Sequence, residues 1–172
     1  MDTLLVVIDY QNDFVTGALG TKEAQALLPA LNERLRTAGR IAYTLDSHGE
    51  NYPATREGRA LPVPHCLRGS WGHAPADGLE LPAGSVCIEK PTFGSTLLGE
   101  YVRNLYEAGE IGAVELAGVC TDICVISNAL LLRAFCPELP IAVNARLCAG
   151  VTPQSHDTAL RAMRACQIEI LE

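Results

Sequence analysis

Cys124 stands in the run Gly118-Val119-Cys120-Thr121-Asp122-Ile123-Cys124, where an apolar stretch gives way to a helical pattern. A thiol at the start of a helix feels the positive end of the helix dipole, which favours the thiolate. A free cysteine titrates near about 8.5, so attack on a carbonyl at neutral pH also needs a base. The same turn offers the backbone N–H groups of Cys120 and Cys124 to a developing oxyanion, and each such donor is typically worth about 10²–10³ in turnover. Asp9, in Val7-Ile8-Asp9-Tyr10, supplies a carboxylate that can take the thiol proton if its own charge is balanced. Lys90, in Glu89-Lys90-Pro91, can balance it and stabilise a thiolate. Each has a plainer reading alone: a core cysteine, a turn aspartate, a solvated lysine. Only their convergence would make them a site.

A second group lies further along. Asp46-Ser47-His48 puts two ligand-type side chains on the same side of an extended backbone, and His65 follows in Pro64-His65-Cys66. One carboxylate and two imidazoles suit a divalent ion such as Zn, Fe or Mn. Glu57 is near enough in sequence to be a further ligand, directly or through water. Satisfied loop histidines are the plainer alternative.

Elements must bring these residues together. Leu4–Ile8 is a continuous apolar, β-branched run of the kind buried on both faces of a sheet. Further strands are expected at Arg40–Leu45, Ser85–Ile88, Ala113–Ala117, Ile141–Val143 and Gln167–Leu171. Helical spacing marks Lys22–Ala38 with Gly39 as its C-cap, then Thr96–Tyr106, Asp122–Phe135 and Pro153–Cys166. Between them Ser47–Gly84 is rich in Gly and Pro with almost no periodicity, which in a compact domain usually means a functional or disordered loop. Strands alternating with helices imply right-handed βαβ units. The expectation is one domain over residues 1–172: a three-layer α/β/α architecture around a mostly parallel sheet. Such sheets bind ligands outside the carboxyl ends of their strands, where Asp9, Asp46, Lys90 and the Gly118–Cys124 turn all fall.

Composition narrows the function. Over 172 residues, 48% are hydrophobic and 19% charged, as in a globular chain. The 13 basic and 20 acidic side chains leave a net charge of −7 with no basic cluster, which argues against nucleic acid and anionic membrane as partners. No stretch approaches the roughly 18–20 apolar residues of a membrane span, and the N-terminus lacks the basic start of a signal peptide. The expected location is the cytoplasm. Seven cysteines (Cys66, Cys87, Cys120, Cys124, Cys136, Cys148 and Cys166) without regular spacing fit reduced thiols, most of them small core residues, better than a disulfide framework.

The strings Ile8-Asp9-Tyr10-Gln11-Asn12-Asp13-Phe14, Glu89-Lys90-Pro91-Thr92-Phe93-Gly94-Ser95 and Gly118–Cys124 together resemble the isochorismatase-like cysteine hydrolases, in an order that covers nearly the whole chain. Within that superfamily Asp46-x-His48 and Pro64-His65-Cys66 look like the metal-binding pattern of nicotinamidases. The resemblance implies a six-stranded sheet and a catalytic triad of Asp9, Lys90 and Cys124. It also implies an oxyanion hole at Cys120 and Cys124, a cis peptide at Val119-Cys120, and a divalent metal on Asp46, His48 and His65. In the family the metal binds the pyridine nitrogen of nicotinamide and water beside it. The implied reaction is hydrolysis of nicotinamide to nicotinate and ammonia through a thioester, in NAD metabolism. The alternative is another small amide, ureido or carbamoyl compound, such as pyrazinamide or biuret. Two positions depart from the pattern. Pro62 stands where many nicotinamidases carry an aromatic that stacks on the pyridine, so Phe14, Tyr52 or Trp71 is expected to line the pocket instead. Ile123 precedes the nucleophile where relatives often have His or an aromatic. A homo-oligomer is compatible with the apolar helix Asp122–Phe135.

Overall fold

The computed structural model of the chain describes residues 2–172. In chain order the elements are β1 (Asp2–Ile8), α1 (Asn12–Val15), α2 (Lys22–Ala26), α3 (Leu28–Thr37), β2 (Arg40–Asp46), α4 (Arg56–Ala60), β3 (Val86–Lys90), α5 (Thr96–Glu107), β4 (Ile111–Val119), α6 (Ile126–Phe135), β5 (Ile141–Ala149), α7 (Pro153–Ala165) and β6 (Glu169–Leu171). Among these residues six strands form one sheet in the order β3-β2-β1-β4-β5-β6, and every pairing is parallel. The strand order reverses beside β1, between its neighbours β2 and β4. That switch point is where open parallel sheets leave a crevice at their carboxyl edge.

β1 shows why the sheet has helices on both faces. Leu4, Val6 and Ile8 point into one core with Leu98, Val102, Val125, Leu132 and Met163 of the α5, α6 and α7 side. Leu5 and Val7 point into the other with Leu27, Leu31 and Leu35 of the α2–α3 side. These five of the seven β1 side chains are at most 1% exposed. Fully burying one such side chain contributes about 1.5–3 kcal/mol. Glu115 breaks the apolar run of β4 but is answered by Arg34 at 2.8 Å and Asn144 at 3.0 Å, which tie α3 and β5 to the sheet.

The helices differ from the expected spans where local chemistry intervenes. The Lys22–Ala38 pattern is two helices broken at Leu27, because Pro29 in the first turn of α3 has no N–H to continue the ladder. Ala38, in extended conformation, caps α3 in place of Gly39. The Asp122–Phe135 pattern opens with a π-helical segment, Thr121–Val125, closed by a bond from the Val125 N–H to the Cys120 carbonyl at 3.1 Å, before α6 begins. Ser95 caps α5 by accepting from the Leu98 N–H at 3.1 Å. Thr152 and Ser155 form a capping box at α7, with Pro153 in its first turn.

The segment from Ser47 to Gly84 holds only a 3₁₀ turn (Tyr52–Ala54) and α4. Its backbone is answered from the β1 exit instead. The Asn12 N–H donates to the Ala74 carbonyl at 3.1 Å, and the Asp13 N–H to Gly72 at 3.1 Å. Asp13 Oδ2 accepts from the Cys66 N–H at 2.7 Å. All seven cysteines are free: Cys66, Cys124, Cys136 and Cys148 are buried, Cys120 is partly buried, and Cys87 and Cys166 are exposed. No helix among the described residues is long and apolar enough to cross a membrane.

Candidate active site

The first group forms at three strand ends. Asp9 follows β1, Lys90 ends β3, and Cys124 lies in the π-helical segment after β4. They are 0%, 1% and 5% exposed, respectively. Lys90 Nζ is 2.5 Å from Asp9 Oδ2 and 3.5 Å from Cys124 Sγ, and it donates to the Thr92 carbonyl at 3.0 Å. Asp9 adopts a left-handed backbone (φ 45), an unusual conformation for a residue with a side chain. Thr44 holds that carboxylate in place. Its hydroxyl donates to Asp9 Oδ1 at 2.6 Å and accepts from the Asp9 N–H at 3.1 Å. Oδ2 therefore faces Lys90, with no aligned hydrogen-bond donor filling it.

The electrostatics follow from burial. Desolvation pushes the Asp9 carboxyl up, against the pull of Lys90. Desolvation would lower Lys90, but the charges of Asp9, Cys124 and Asp46 outweigh it and keep the ammonium. Desolvation also drives the Cys124 thiol well above its usual range, reinforced by Asp9 and opposed by Lys90. The resting group is a thiol, so the helix-terminus effect expected from the sequence does not by itself ionise it.

Glycine is required where β4 passes β1. Gly118 has φ +111, and a Cβ there would lie 2.1 Å from the Ile8 carbonyl oxygen. That close approach carries β4 into the turn through the cis peptide Val119-Cys120. Asn128, in the first turn of α6, fixes the other side. It donates to the carbonyls of Cys124 (2.8 Å) and Phe93 (3.0 Å) and accepts from the Ser95 N–H (2.9 Å). The Cys124 segment is thereby tied to the loop that follows Lys90.

The second group also assembles. One ligand atom from each of Asp46, His48, Glu57 and His65 lies within 4.8 Å of the others. Asp46 Oδ2 is 2.9 Å from His48 Nε2 and 3.4 Å from His65 Nε2, and Glu57 Oε1 is 3.6 Å and 3.7 Å from the same nitrogens. The donor set fits a divalent cation. His65 Nδ1 is 2.8 Å from the Val63 carbonyl, which can only accept, so Nδ1 carries a proton and Nε2 is the nitrogen turned toward Asp46. Burial would raise Asp46, but its hydrogen bonds to both histidines and the charge of Lys90 hold it well below the usual carboxylate range. It is ready to ligate as an anion. Glu57, by contrast, is raised by burial and by the Asp46 charge.

The three candidate aromatics are placed differently. Tyr52 packs its ring 4.7 Å from His48 and 5.0 Å from His65, and its hydroxyl donates to the Leu61 carbonyl. Phe14 meets His65 edge-on at 5.4 Å. Trp71 is 54% exposed, its indole N–H donating to Asp77. Thr44, Gln11 and Asn128 were not singled out from the sequence. Gln11 sits two residues beyond Asp9, and that proximity was the one available signal. Thr44 and Asn128 are met only through the partners the fold supplies.

A wholly parallel α/β/α sheet, with a buried thiol, carboxylate and ammonium at its switch point, is the architecture of an enzyme that works at the carboxyl edge. The chain belongs to the isochorismatase family of hydrolases: a family model described as Isochorismatase domain matches residues 3–172. A Bacillus subtilis (strain 168) protein called uncharacterized isochorismatase family protein PncA is 29% identical over 174 residues, covering 93% of either chain. Among solved structures, the pyrazinamidase of Pyrococcus horikoshii in complex with zinc has a TM-score of 0.84 at 27% identity, covering 100% of this chain and 99% of its own. The pyrazinamidase/nicotinamidase of Streptococcus mutans UA159 has a TM-score of 0.82 at 26% identity, covering 98% and 99%.

Proposed function

We propose that the protein is a cysteine hydrolase of small carboxamides, with nicotinamide as its first substrate, giving nicotinate and ammonia. The observation that carries this reading is the contact of Lys90 Nζ with both Asp9 Oδ2 and Cys124 Sγ, beside a group of metal-ligand side chains. Nicotinamide combines the two features these groups would read: a carboxamide for the thiol and a ring nitrogen for a metal. The likeness to a pyrazinamidase in complex with zinc supports the same substrate class.

Asp9 takes the proton of Cys124 as Sγ bonds to the carboxamide carbon, and the carbonyl electron pair moves onto oxygen. The backbone N–H groups of Cys120 and Cys124 hold that oxyanion. Asp9 then returns the proton to the nitrogen, the C–N bond breaks, and ammonia leaves a thioester. Water gives a proton to Asp9 as it attacks the thioester, and the C–S bond breaks to release the acid and regenerate the thiol. Lys90 keeps the charge of Asp9 tolerable in a dry site throughout. Asp46, His48 and His65, with Glu57 beside them, would hold a divalent ion, which supplies a Lewis acid for the ring nitrogen.

Ammonia release from nicotinamide by the unaltered protein and by Cys124→Ala tests the reading. Turnover that falls by about 10³ or more in the variant is expected. Equal rates would rule out Cys124 as nucleophile, and no release by the unaltered protein from nicotinamide, with release from pyrazinamide or a ureide, would move the substrate while keeping the chemistry.

A further inference from the structure

Gln11 is fully buried, and two of its three amide hydrogen bonds go to the backbone of a single residue. Its Oε1 accepts from the Asp46 N–H at 2.8 Å, and its Nε2 donates to the Asp46 carbonyl at 2.9 Å and to the His73 carbonyl at 2.9 Å. The register explains why a side chain does this. β1 pairs with β2 only as far as Val7 opposite Tyr43, so Asp46 at the tip of β2 has no β1 backbone beside it. On its other side Asp46 is still in register with Lys90 of β3. Gln11 replaces the missing strand, offering one acceptor and one donor to the two backbone groups that a neighbouring β-strand would have paired.

The third bond joins that tip to the loop above it. His73, whose carbonyl Gln11 holds, has its ring Nε2 2.7 Å from Ser47 Oγ, so the 46–47 backbone and the 73 segment are fastened twice. Held on both sides, Asp46 has little freedom except in its side chain. The carboxylate of Asp46 is the one that lies within 3.4 Å of both imidazoles. The neighbouring Asn12 does comparable structural work without touching a ligand. It donates to Trp71 at 2.9 Å and accepts from the Asp77 N–H at 2.8 Å.

We infer that Gln11 is a positioning residue for the metal centre: its amide clamps the backbone of Asp46 and so sets the affinity of the Asp46, His48 and His65 group for a divalent cation. The inference rests on the metal site of the proposed function, and it assigns to Gln11 no contact with substrate or ion. Groups that orient metal ligands typically contribute 10–100-fold to affinity.

The test is titration of the metal-free full chain with cobalt(II), followed by the visible absorption of the complex, together with the thermal unfolding of each metal-free variant. Gln11→Met is expected to bind cobalt about 10–100-fold more weakly than the unaltered protein. Asn12→Ala is expected to unfold at lower temperature yet bind cobalt as the unaltered protein does. Gln11→Glu keeps the size and the acceptor for the Asp46 N–H but sets an oxygen against two carbonyls, and it is expected to lose affinity as well; it decides the matter if the methionine variant does not fold. Wild-type affinity in the Gln11 variants overturns the inference, as does an equal loss in Asn12→Ala, which would make both residues simple loop fasteners. Failure of the unaltered protein to bind cobalt would instead remove the metal site, and this role with it.

Discussion

Lys90 Nζ lies 3.9 Å from Asp46 Oδ1 while it presses against Asp9, so one ammonium serves both the thiol group and the metal-ligand group. Two carboxylates and a sulfur share a single buried cation. Lys90→Met would leave Asp9 and Asp46 buried without it, and breaking a buried pair in this way costs about 3–5 kcal/mol. Urea unfolding should show a loss of that size, with turnover of nicotinamide abolished. Adding Asp9→Asn to Lys90→Met should recover part of the stability and none of the activity. A stability unchanged by Lys90→Met would mean the cation is not needed to hold the carboxylates.

Thr44 holds the carboxylate of Asp9, the base of the proposed mechanism. Thr44→Val keeps the shape but deprives Asp9 Oδ1 of its 2.6 Å donor. An unanswered buried acceptor costs about 1–3 kcal/mol, equivalent to roughly 5–150-fold in rate if the loss falls on the transition state. The expected result is a fall in kcat of that order with KM little changed, and recovery in Thr44→Ser. Equal kcat in Thr44→Val and the unaltered protein would count against the orientation of Asp9 through Oδ1.

His48 contributes ring nitrogen to the ligand group and lies far from the thiol in the chain. His48→Ala should lower bound metal from about one ion per chain to near zero by elemental analysis. If the ion anchors the substrate ring, KM for nicotinamide should rise more than kcat falls. Unchanged KM with the metal gone would show that the ring nitrogen is read by something else.

Gly118→Ala attacks the fold at the point where it builds the site. The added Cβ meets the Ile8 backbone at 2.1 Å, with φ +111 disfavouring any side chain. Neither clash can be relieved by rotating a side chain. A loss above about 4 kcal/mol is expected, seen as a collapse of soluble yield or of the unfolding midpoint. A soluble, stable Gly118→Ala would show that β4 can withdraw from β1 without harm.

The strands were legible because a parallel sheet buries both faces, so Leu4–Ile8 reads as an unbroken apolar run and its end can be found to the residue. β5 was less so. It runs on from Val143 to Ala149 through Asn144 and Arg146, polar residues carried in a register shift against β4 between Leu116 and Gly118. Asp9, Asp46 and Lys90 stood out by residue type at strand ends, Cys124 in the turn after one, and His48 and His65 in the long loop, and the fold brings them into two adjoining groups. The supports did not stand out, because Thr44 and Gln11 matter for what their polar atoms meet some 35 residues away. The segment after Ser47 has no periodicity to read, since its order comes from the side chains of Gln11, Asn12 and Asp13 and not from a repeating backbone pattern.

The distribution of thiols has a practical consequence. Cys87 and Cys166 lie open on the surface while Cys124 is nearly sealed, with its thiol held protonated. An alkylating reagent in solution will therefore meet the two bystanders first. Covalent modification counted by mass will run ahead of inactivation, and the gap between the two curves measures how readily a molecule of that size finds its way down to the sulfur.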